Sequence, residues 1–305
     1  MEKNTVTSQR VVITGANSGI GFQAALHFAR EGAQVVMACR NMDKAQQARQ
    51  QILAAVPDAS ATIIRLDVSD LASVHEFSLQ LADQCGRVDV LINNAGIVAM
   101  PLSRNSAGHE SQLATNYLGT FALTGALLPL FPADAPCRIV NVGSLAHRLG
   151  KLNLDDLNWE TTPYHEWKAY ANSKVAMLSF TLELNRRLQA SGSRTIALGA
   201  HPGFANTNIH QNSPALHYTN PVRKWISQKM LRFVPTAADA ARPIILAASA
   251  ADVAGGDYYG PGGFLEIGGK PAKARINPQA RDSDKGRQLW ALSETMTGIR
   301  YLTDL

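Results

Sequence analysis

The stretch Arg10-Val11-Val12-Ile13-Thr14-Gly15-Ala16-Asn17-Ser18-Gly19-Ile20-Gly21 decides the fold. Its first five residues form a short apolar run of strand length. The glycine-rich turn that follows opens a helix over Gly19–Arg30, with Ile20, Ala24, Leu26, Phe28 and Ala29 available to pack. The spacing is Gly-x3-Gly-x-Gly rather than Gly-x-Gly-x-x-Gly. Glycines there let the backbone approach a pyrophosphate closely. The helix start adds unpaired N–H groups and partial positive charge. A tight turn with no ligand is the bland alternative, and the position after the first strand weighs against it.

The same alternation continues outward. Strands are predicted at Gln34–Ala38, Thr62–Leu66, Val88–Ile92, Arg138–Val142 and Thr195–Ala200. Helices are predicted at Asp43–Val56, at Ser69–Gln84 with Ser69 or Asp70 as N-cap, and through Val175–Leu188. Strands apolar on both faces belong in a parallel sheet covered by helices. The fold class is therefore α/β, a doubly wound parallel sheet (Rossmann fold). Residues 1–305 read as a single domain, with a substrate lid about 204–235 and a C-terminal extension about 261–305. Ligands of such sheets bind beyond the carboxyl ends of the strands, so the residues just after strands carry the functional argument.

The second strand leads into Arg40, where an NAD-selective site wants an acidic residue for the ribose 2′-hydroxyl. A guanidinium there pairs instead with a 2′-phosphate, so the expected cofactor is NADP(H). A surface arginine at a strand end is the alternative. Asp67-Val68 follows the third strand. Asp67 is placed either to accept from an adenine amino group or to cap the next helix. Asn93-Asn94-Ala95-Gly96 follows the fourth strand, as a cofactor contact or as a turn.

Tyr170 and Lys174 stand four apart, on one helix face. A free tyrosine is a poor base at neutral pH. A neighbouring ammonium favours the phenolate and brings the phenol towards acid–base range. Such a pair is common by chance, but Ser144, at the end of the fifth strand, adds a hydroxyl able to polarise a substrate carbonyl. Asn116 sits inside an earlier long helix, where asparagine is mildly unfavourable.

With these residues in place the chain resembles the short-chain dehydrogenase/reductase family. The matches are Thr14–Gly21, Asp67, Asn93–Gly96, Asn116, Ser144, Tyr170, Lys174, Pro202-Gly203 and Thr207, in the family's order over residues 10–260. The resemblance implies Tyr170 as proton donor or acceptor, Lys174 on the nicotinamide ribose, Ser144 on the substrate oxygen and Asn116 holding a water in a proton relay. It implies Pro202, Gly203 and Thr207 beside the nicotinamide, and Gly15, Asn17, Ser18, Gly19, Ile20, Gly21, Asp67, Val68, Asn94, Ala95 and Gly96 around the cofactor. A nearer resemblance is to the retinol dehydrogenase-like and protochlorophyllide reductase-like subgroup. Ala38–Asn41, Gly150–Leu157, the tail Leu289–Tyr301 and the 26-residue step from Ser144 to Tyr170 carry it. Family members often have Ser-Ser where this chain has Gly143-Ser144. Relatives that dimerise through the helices carrying Asn116 and Tyr170 make a homodimer an expectation, which the insert at 145–169 would obstruct.

In the lid stretch, Val222, Trp225, Ile226, Met230, Phe233 and Val234 fall at helical spacing among Arg223, Lys224, Lys229 and Arg232. They read as a helix packed on the body, a wall for an apolar substrate, or a basic face on a membrane. Trp159, Tyr164 and Trp167 belong to such a pocket or to the core. His147 and His201 read as structural. A net charge of +5 with scattered Lys and Arg reads as a solvated surface and not a nucleic-acid site. Met1–Arg10 is polar, with no signal-peptide pattern, and no stretch reads as an integral membrane segment. Cys39, Cys85 and Cys137 are few and widely spaced, which argues against a disulfide framework or a metal site and for a cytoplasmic protein. The expected activity is NADP(H)-dependent hydride transfer at the carbonyl or alcohol carbon of an apolar small molecule. Reduction of a conjugated C=C bond and a non-catalytic NADP(H) sensor are the alternatives. A serine hydrolase lacks its Gly-x-Ser-x-Gly elbow.

Overall fold

Apolar residues on both faces of short β-rich runs drive the assembly, and the computed structural model describes residues 9–203 and 235–303. The strands are β1 (Arg10–Thr14), β2 (Gln34–Cys39), β3 (Ala61–Arg65), β4 (Val90–Asn93), β5 (Arg138–Val142), β6 (Ile196–Ala200), β7 (Tyr258–Pro261) and β8 (Pro271–Lys273). They form an 8-stranded sheet in the order β3-β2-β1-β4-β5-β6-β7-β8. Strands β1 to β7 are parallel, and β8 returns antiparallel to β7. The order reverses between β1 and β4, so the topological switch point lies beyond Thr14 and Asn93.

The helices are α1 (Gly19–Arg30), α2 (Met42–Ala55), α3 (Leu71–Cys85), α4 (Ser111–Leu130), α5 (Glu166–Ala190), α6 (Ala237–Ser249), α7 (Pro278–Arg281) and α8 (Ser283–Thr297). Alternate strand residues feed two cores. Val11 and Ile13 face α1, α2 and α6 through Phe28, Ile52 and Ile244. Val12 faces α3, α4 and α5 through Phe77, Phe121 and Phe180. Burial on both faces is why β1 reads as a continuous apolar run rather than an alternating one.

Most predicted elements stand within two residues of their observed bounds. Strand β4 starts later than expected because the Val88 N–H goes to the Leu130 carbonyl at the end of α4. Asp70, not Ser69, caps α3, accepting from Ala72 N. Asn41 caps α2, accepting from Lys44 N. Strands β7 and β8 escaped the sequence reading, being short and broken by Gly and Pro. Helix α4 is more apolar than the sequence reading allowed. Its 20 residues are long and apolar enough to cross a membrane by length and composition. In this fold 67% of that window is buried, so α4 is a core helix.

Where the resemblance would place a second copy, α4 and α5 meet the chain's own tail. Trp290 of α8 packs edge-on against Phe121 at 5.0 Å and lies 5.8 Å from Phe180, while Arg187 of α5 covers its ring at 4.4 Å. Tyr301 fills the space over Gly125, where a Cβ would strike its ring, and donates to the Phe121 carbonyl at 3.1 Å.

Candidate active site

At the switch point the chain is drawn in by its smallest residues. Gly15 adopts φ +67°, and its N–H donates to the Ala38 carbonyl at 2.8 Å. A Cβ on Gly21 would run into the Gly15 carbonyl oxygen and stand 2.5 Å from Asn94 Nδ2. The turn is therefore pressed against the loop after β4 with no room for side chains. Thr14 secures that contact: its Oγ1 accepts from Asn94 N and Ala95 N, each at 2.9 Å. Asn94 Nδ2 donates back to the Thr14 carbonyl at 2.8 Å. Asn94 therefore has a locking function in the turn besides bordering the cleft. Thr14, the first residue of the Thr14–Gly21 match, shares that function.

A cleft of about 710 Å³ opens over this turn. Of the predicted cofactor residues, Gly15, Asn17, Ser18, Gly19 and Ile20 line its floor, Arg40, Asp67 and Val68 one side, and Asn94, Ala95 and Gly96 the other. Gly21 supports the turn from behind. Ser18 is the N-cap of α1 but makes no side-chain cap bond, and the first turn of α1 holds no acidic residue. Its N–H groups are left for an anion, which fits a dinucleotide pyrophosphate. Arg40 is 69% exposed, with Nη1 3.6 Å from Asp67 Oδ2. Asp67 Oδ1 accepts from Ser69 N at 3.0 Å and Ser69 Oγ at 2.6 Å. Its carboxylate thus closes a turn and faces Arg40. Lys44, Gln47 and Gln51 also line the cleft. They sit at i, i+3 and i+7 of α2, a polar stripe that helical periodicity could have revealed.

The catalytic candidates converge beyond β5. Ser144 follows that strand and N-caps a short 3₁₀ turn, its Oγ accepting from Ala146 N at 3.2 Å. The same hydroxyl is near enough to the Tyr170 phenol to favour its ionised form. One turn along α5, Lys174 is only 5% exposed. Its Nζ donates to the Val142 carbonyl at 3.0 Å and lies 5.9 Å from the Tyr170 ring centroid. Gly96, on the cleft wall, is flush with this group: a Cβ there would stand 3.6 Å from Lys174 Nζ and 3.0 Å from Asn116 Oδ1. The nucleotide cleft and the catalytic cluster therefore share an edge.

Two expectations are refined. Desolvation is the largest influence on Tyr170 and raises its pKa, while the nearby Ser144 hydroxyl opposes it. The Lys174 ammonium is not among the influences on Tyr170, and burial drives Lys174 itself down to about 8. Asn116 lies in a π-helical turn, Ala114–Leu118, a distortion frequent at functional sites. Its side chain is committed to protein partners. Oδ1 accepts from Ile97 N at 2.8 Å, and Nδ2 donates to the Ile97 carbonyl and to Ser173 Oγ, each at 3.0 Å. Ser173 Oγ in turn donates to the Tyr170 carbonyl at 2.7 Å. The Asn116 amide hydrogens tie the β4 loop to the catalytic helix.

Pro202 and Gly203 follow β6, with Gly203 at φ +73° and its N–H donating to His201 Nδ1 at 3.1 Å. Thr207 and the lid stretch lie outside the described residues. The aromatic residues ahead of α5 divide. Trp159 is buried edge-on to Tyr164, whose hydroxyl donates to the Met100 carbonyl at 2.9 Å, so both belong to the core. Trp167 stands edge-on to Tyr170 at 6.3 Å and is partly exposed, as a pocket wall would be. No cluster of metal-ligating side chains occurs among the described residues.

Known proteins are similar to this chain in sequence and fold. A family model described as short chain dehydrogenase matches residues 9–216. Human retinol dehydrogenase 13 is 38% identical over 299 residues, spanning 97% of this chain and 87% of that protein. Human retinol dehydrogenase 12 is 34% identical over 295 residues, 95% of this chain and 87% of that one. A crystal structure of an uncharacterized protein from Mycobacterium paratuberculosis superposes with a TM-score of 0.78 at 38% identity, covering 96% of this chain and 94% of that one. The glycine turn at the switch point, the Ser144, Tyr170 and Lys174 cluster and these matches agree: the chain belongs to the short-chain dehydrogenase family of nicotinamide-dependent oxidoreductases.

Proposed function

We propose that this protein is an NADP(H)-dependent carbonyl reductase and alcohol dehydrogenase for apolar small molecules, with Tyr170 as the general acid and base. The observation that carries the reading is the placing of Tyr170 and buried Lys174 one turn apart on α5, with Lys174 Nζ donating to the Val142 carbonyl on the shared edge with the nucleotide cleft. When bound, the nicotinamide supplies or accepts the hydride. The α1 N-terminus and the Gly15 turn would hold the pyrophosphate, and Arg40 with Lys44 would take the 2′-phosphate.

The chain's own groups do the proton chemistry. Tyr170, raised by burial, keeps its proton at neutral pH and donates it to a developing alkoxide. Ser144 Oγ stabilises that same oxygen. Asn116 acts by position, holding Ile97 against α5 so that Gly96 and Lys174 stay in register. Trp167 and the retinol dehydrogenase relatives favour an apolar, retinoid-like carbonyl compound.

The test is a panel of aldehydes, ketones, secondary alcohols and enones with NADPH or NADH, followed by absorbance of the reduced nicotinamide. Carbonyl reduction with NADPH is expected, and Tyr170→Phe should lose about 100-fold or more of kcat. Arg40→Ala should weaken NADPH by about 10-fold and leave NADH unchanged. Turnover retained by Tyr170→Phe, or product formed only by C=C reduction, would overturn the reading.

A further inference from the structure

Between β7 and β8 the chain reads Pro261-Gly262-Gly263-Phe264-Leu265-Glu266-Ile267-Gly268-Gly269-Lys270-Pro271. Three apolar residues and one acid are framed on each side by a glycine pair and a proline. The frame closes on itself. Gly263 N–H donates to the Gly268 carbonyl at 2.9 Å, and Gly262 N–H to the Lys270 carbonyl at 2.7 Å. Phe264–Ile267 therefore forms a tip beyond the carboxyl end of β7. Its inner side backs onto the end of β6, where a Cβ on Gly203 would collide with the Ile267 carbonyl oxygen. Because β5, β6 and β7 are parallel, the tip stands at the same end of the sheet as Ser144 and Gly203.

The residues it turns outward are apolar. Phe264 is 86% exposed, Leu265 60% and Ile267 38%, and Leu149 nearby is 88% exposed. Arg148 Nη1 donates to the Leu265 carbonyl at 3.3 Å, which joins the Leu149 turn to the tip. Single exposed apolar side chains are ordinary on a protein surface, whereas a gathered patch marks a contact site. The backbone is bent to present this one. Leu265 and Glu266 take φ +53° and +60°, consecutive left-handed conformations that residues with side chains disfavour. Glu266 holds the bend from within. Its Oε2 lies 2.9 Å from His201 Nε2, and its Oε1 lies 2.6 Å from Arg148 Nη2 and accepts from Arg275 N at 3.2 Å. The one acid between residues 262 and 276 is thus turned inward against an arginine. Lys270 and Arg275 are exposed after the tip, and Lys151 is exposed two residues after Leu149. An apolar tip rimmed by cations, with its acid withdrawn, complements a surface that is anionic outside and apolar within.

We propose that the β7–β8 tip and Leu149 dock on an anionic lipid bilayer, Phe264 and Leu265 entering among the acyl chains and Lys151, Lys270 and Arg275 meeting the headgroups. Docking turns the mouth of the active site towards the phase in which an apolar carbonyl compound dissolves. That delivery rests on the apolar-substrate reading given above, while the docking itself does not.

The experiment sediments the full chain with vesicles of phosphatidylcholine or of an equal mixture with phosphatidylserine. The parent should bind the mixed vesicles and bind less as salt is raised. Phe264→Ser combined with Leu265→Ser should weaken binding about 10-fold or more at an unchanged unfolding midpoint. Lys270→Ala combined with Arg275→Ala should weaken binding to the mixed vesicles by about 10-fold. A polarity-sensitive dye on Phe264→Cys should shift to the blue only when vesicles are added. Parent-like binding by the Phe264→Ser, Leu265→Ser variant would overturn the proposal. A blue-shifted dye without vesicles would give the patch to the chain's own residues, and a dimer in light scattering that this variant splits would give it to a second copy; either overturns the proposal. With NADPH, the same variant should reduce vesicle-borne retinal about 10-fold more slowly and a water-soluble aldehyde at the parent rate. Equal rates on both would overturn delivery. If the parent binds vesicles and reduces neither carbonyl, the functional reading fails and the docking surface stands.

Discussion

Lys174 shows how much one residue's chemistry depends on where it is put. In water its amine would stay charged past pH 10. Sealed between α5 and the end of β5, it retains one carbonyl acceptor, Val142, and burial brings its pKa to about 8. The charged form is therefore present below about pH 8 and is lost as pH rises through that value. If the ammonium orders the ribose side of the cleft, kcat/KM for carbonyl reduction should be level at neutral pH and fall above about 8. Tyr170 does not set that limb, because burial moves its own titration upward from the ordinary tyrosine value. A pH profile of NADPH-dependent reduction reads this directly. A profile that stays level into the ordinary lysine range would separate the Lys174 charge from activity.

At the scale of elements, the site is made by close approach of backbones. Helix α4 comes down on the loop after β3 at Gly119, where even a methyl group would overlap the Val68 carbonyl oxygen. Gly119 also closes the π turn, its N–H reaching back to the Ala114 carbonyl. The extra residue of that turn coincides with Asn116, whose side chain leaves the helix to grip Ile97. Gly119→Ala should therefore push α4 away from Val68, at a cost of about 3 kcal/mol or more by overpacking. Because Val68 lines the cleft, NADPH affinity should fall with stability. Chemical denaturation and nucleotide titration of the same variant check both, and an unchanged unfolding midpoint would show that α4 is free to shift.

At the scale of the molecule, the tail supports the catalytic helices from outside. Trp290 is 2% exposed and joins α8 to Phe121 of α4 and Phe180 of α5. Tyr117 and Ser293 hydrogen-bond at 2.5 Å nearby. Glu183 holds both Arg186 and Arg187 on the same face, and Arg187 also donates to the Leu302 carbonyl at 2.8 Å. Trp290→Ala should destabilise the protein by about 3–5 kcal/mol, as large-to-small changes in a packed aromatic cluster do. The parent and Trp290→Ala unfolding curves in urea measure it. A loss below about 1 kcal/mol would mean that α8 is an accessory and not part of the core.

The sequence alone determined the features written in short-range spacing. These are the strand-to-helix alternation, the glycine turn after β1, the Tyr170 and Lys174 pair on one helix face, and Arg40 at the end of β2. Each depends on residues a few positions apart, and backbone periodicity places them whatever surrounds them. The tertiary structure decided what depends on burial and on contacts between distant segments. It brought Ser144 near Tyr170 across an irregular insert and set Tyr258 behind Gly143 from a strand too short to predict. It turned the Asn116 amide towards protein partners and covered α4 and α5 with α8. It also set the proton affinities, raising Tyr170 and lowering Lys174, because desolvation is a property of the assembled core and has no counterpart in the linear chain.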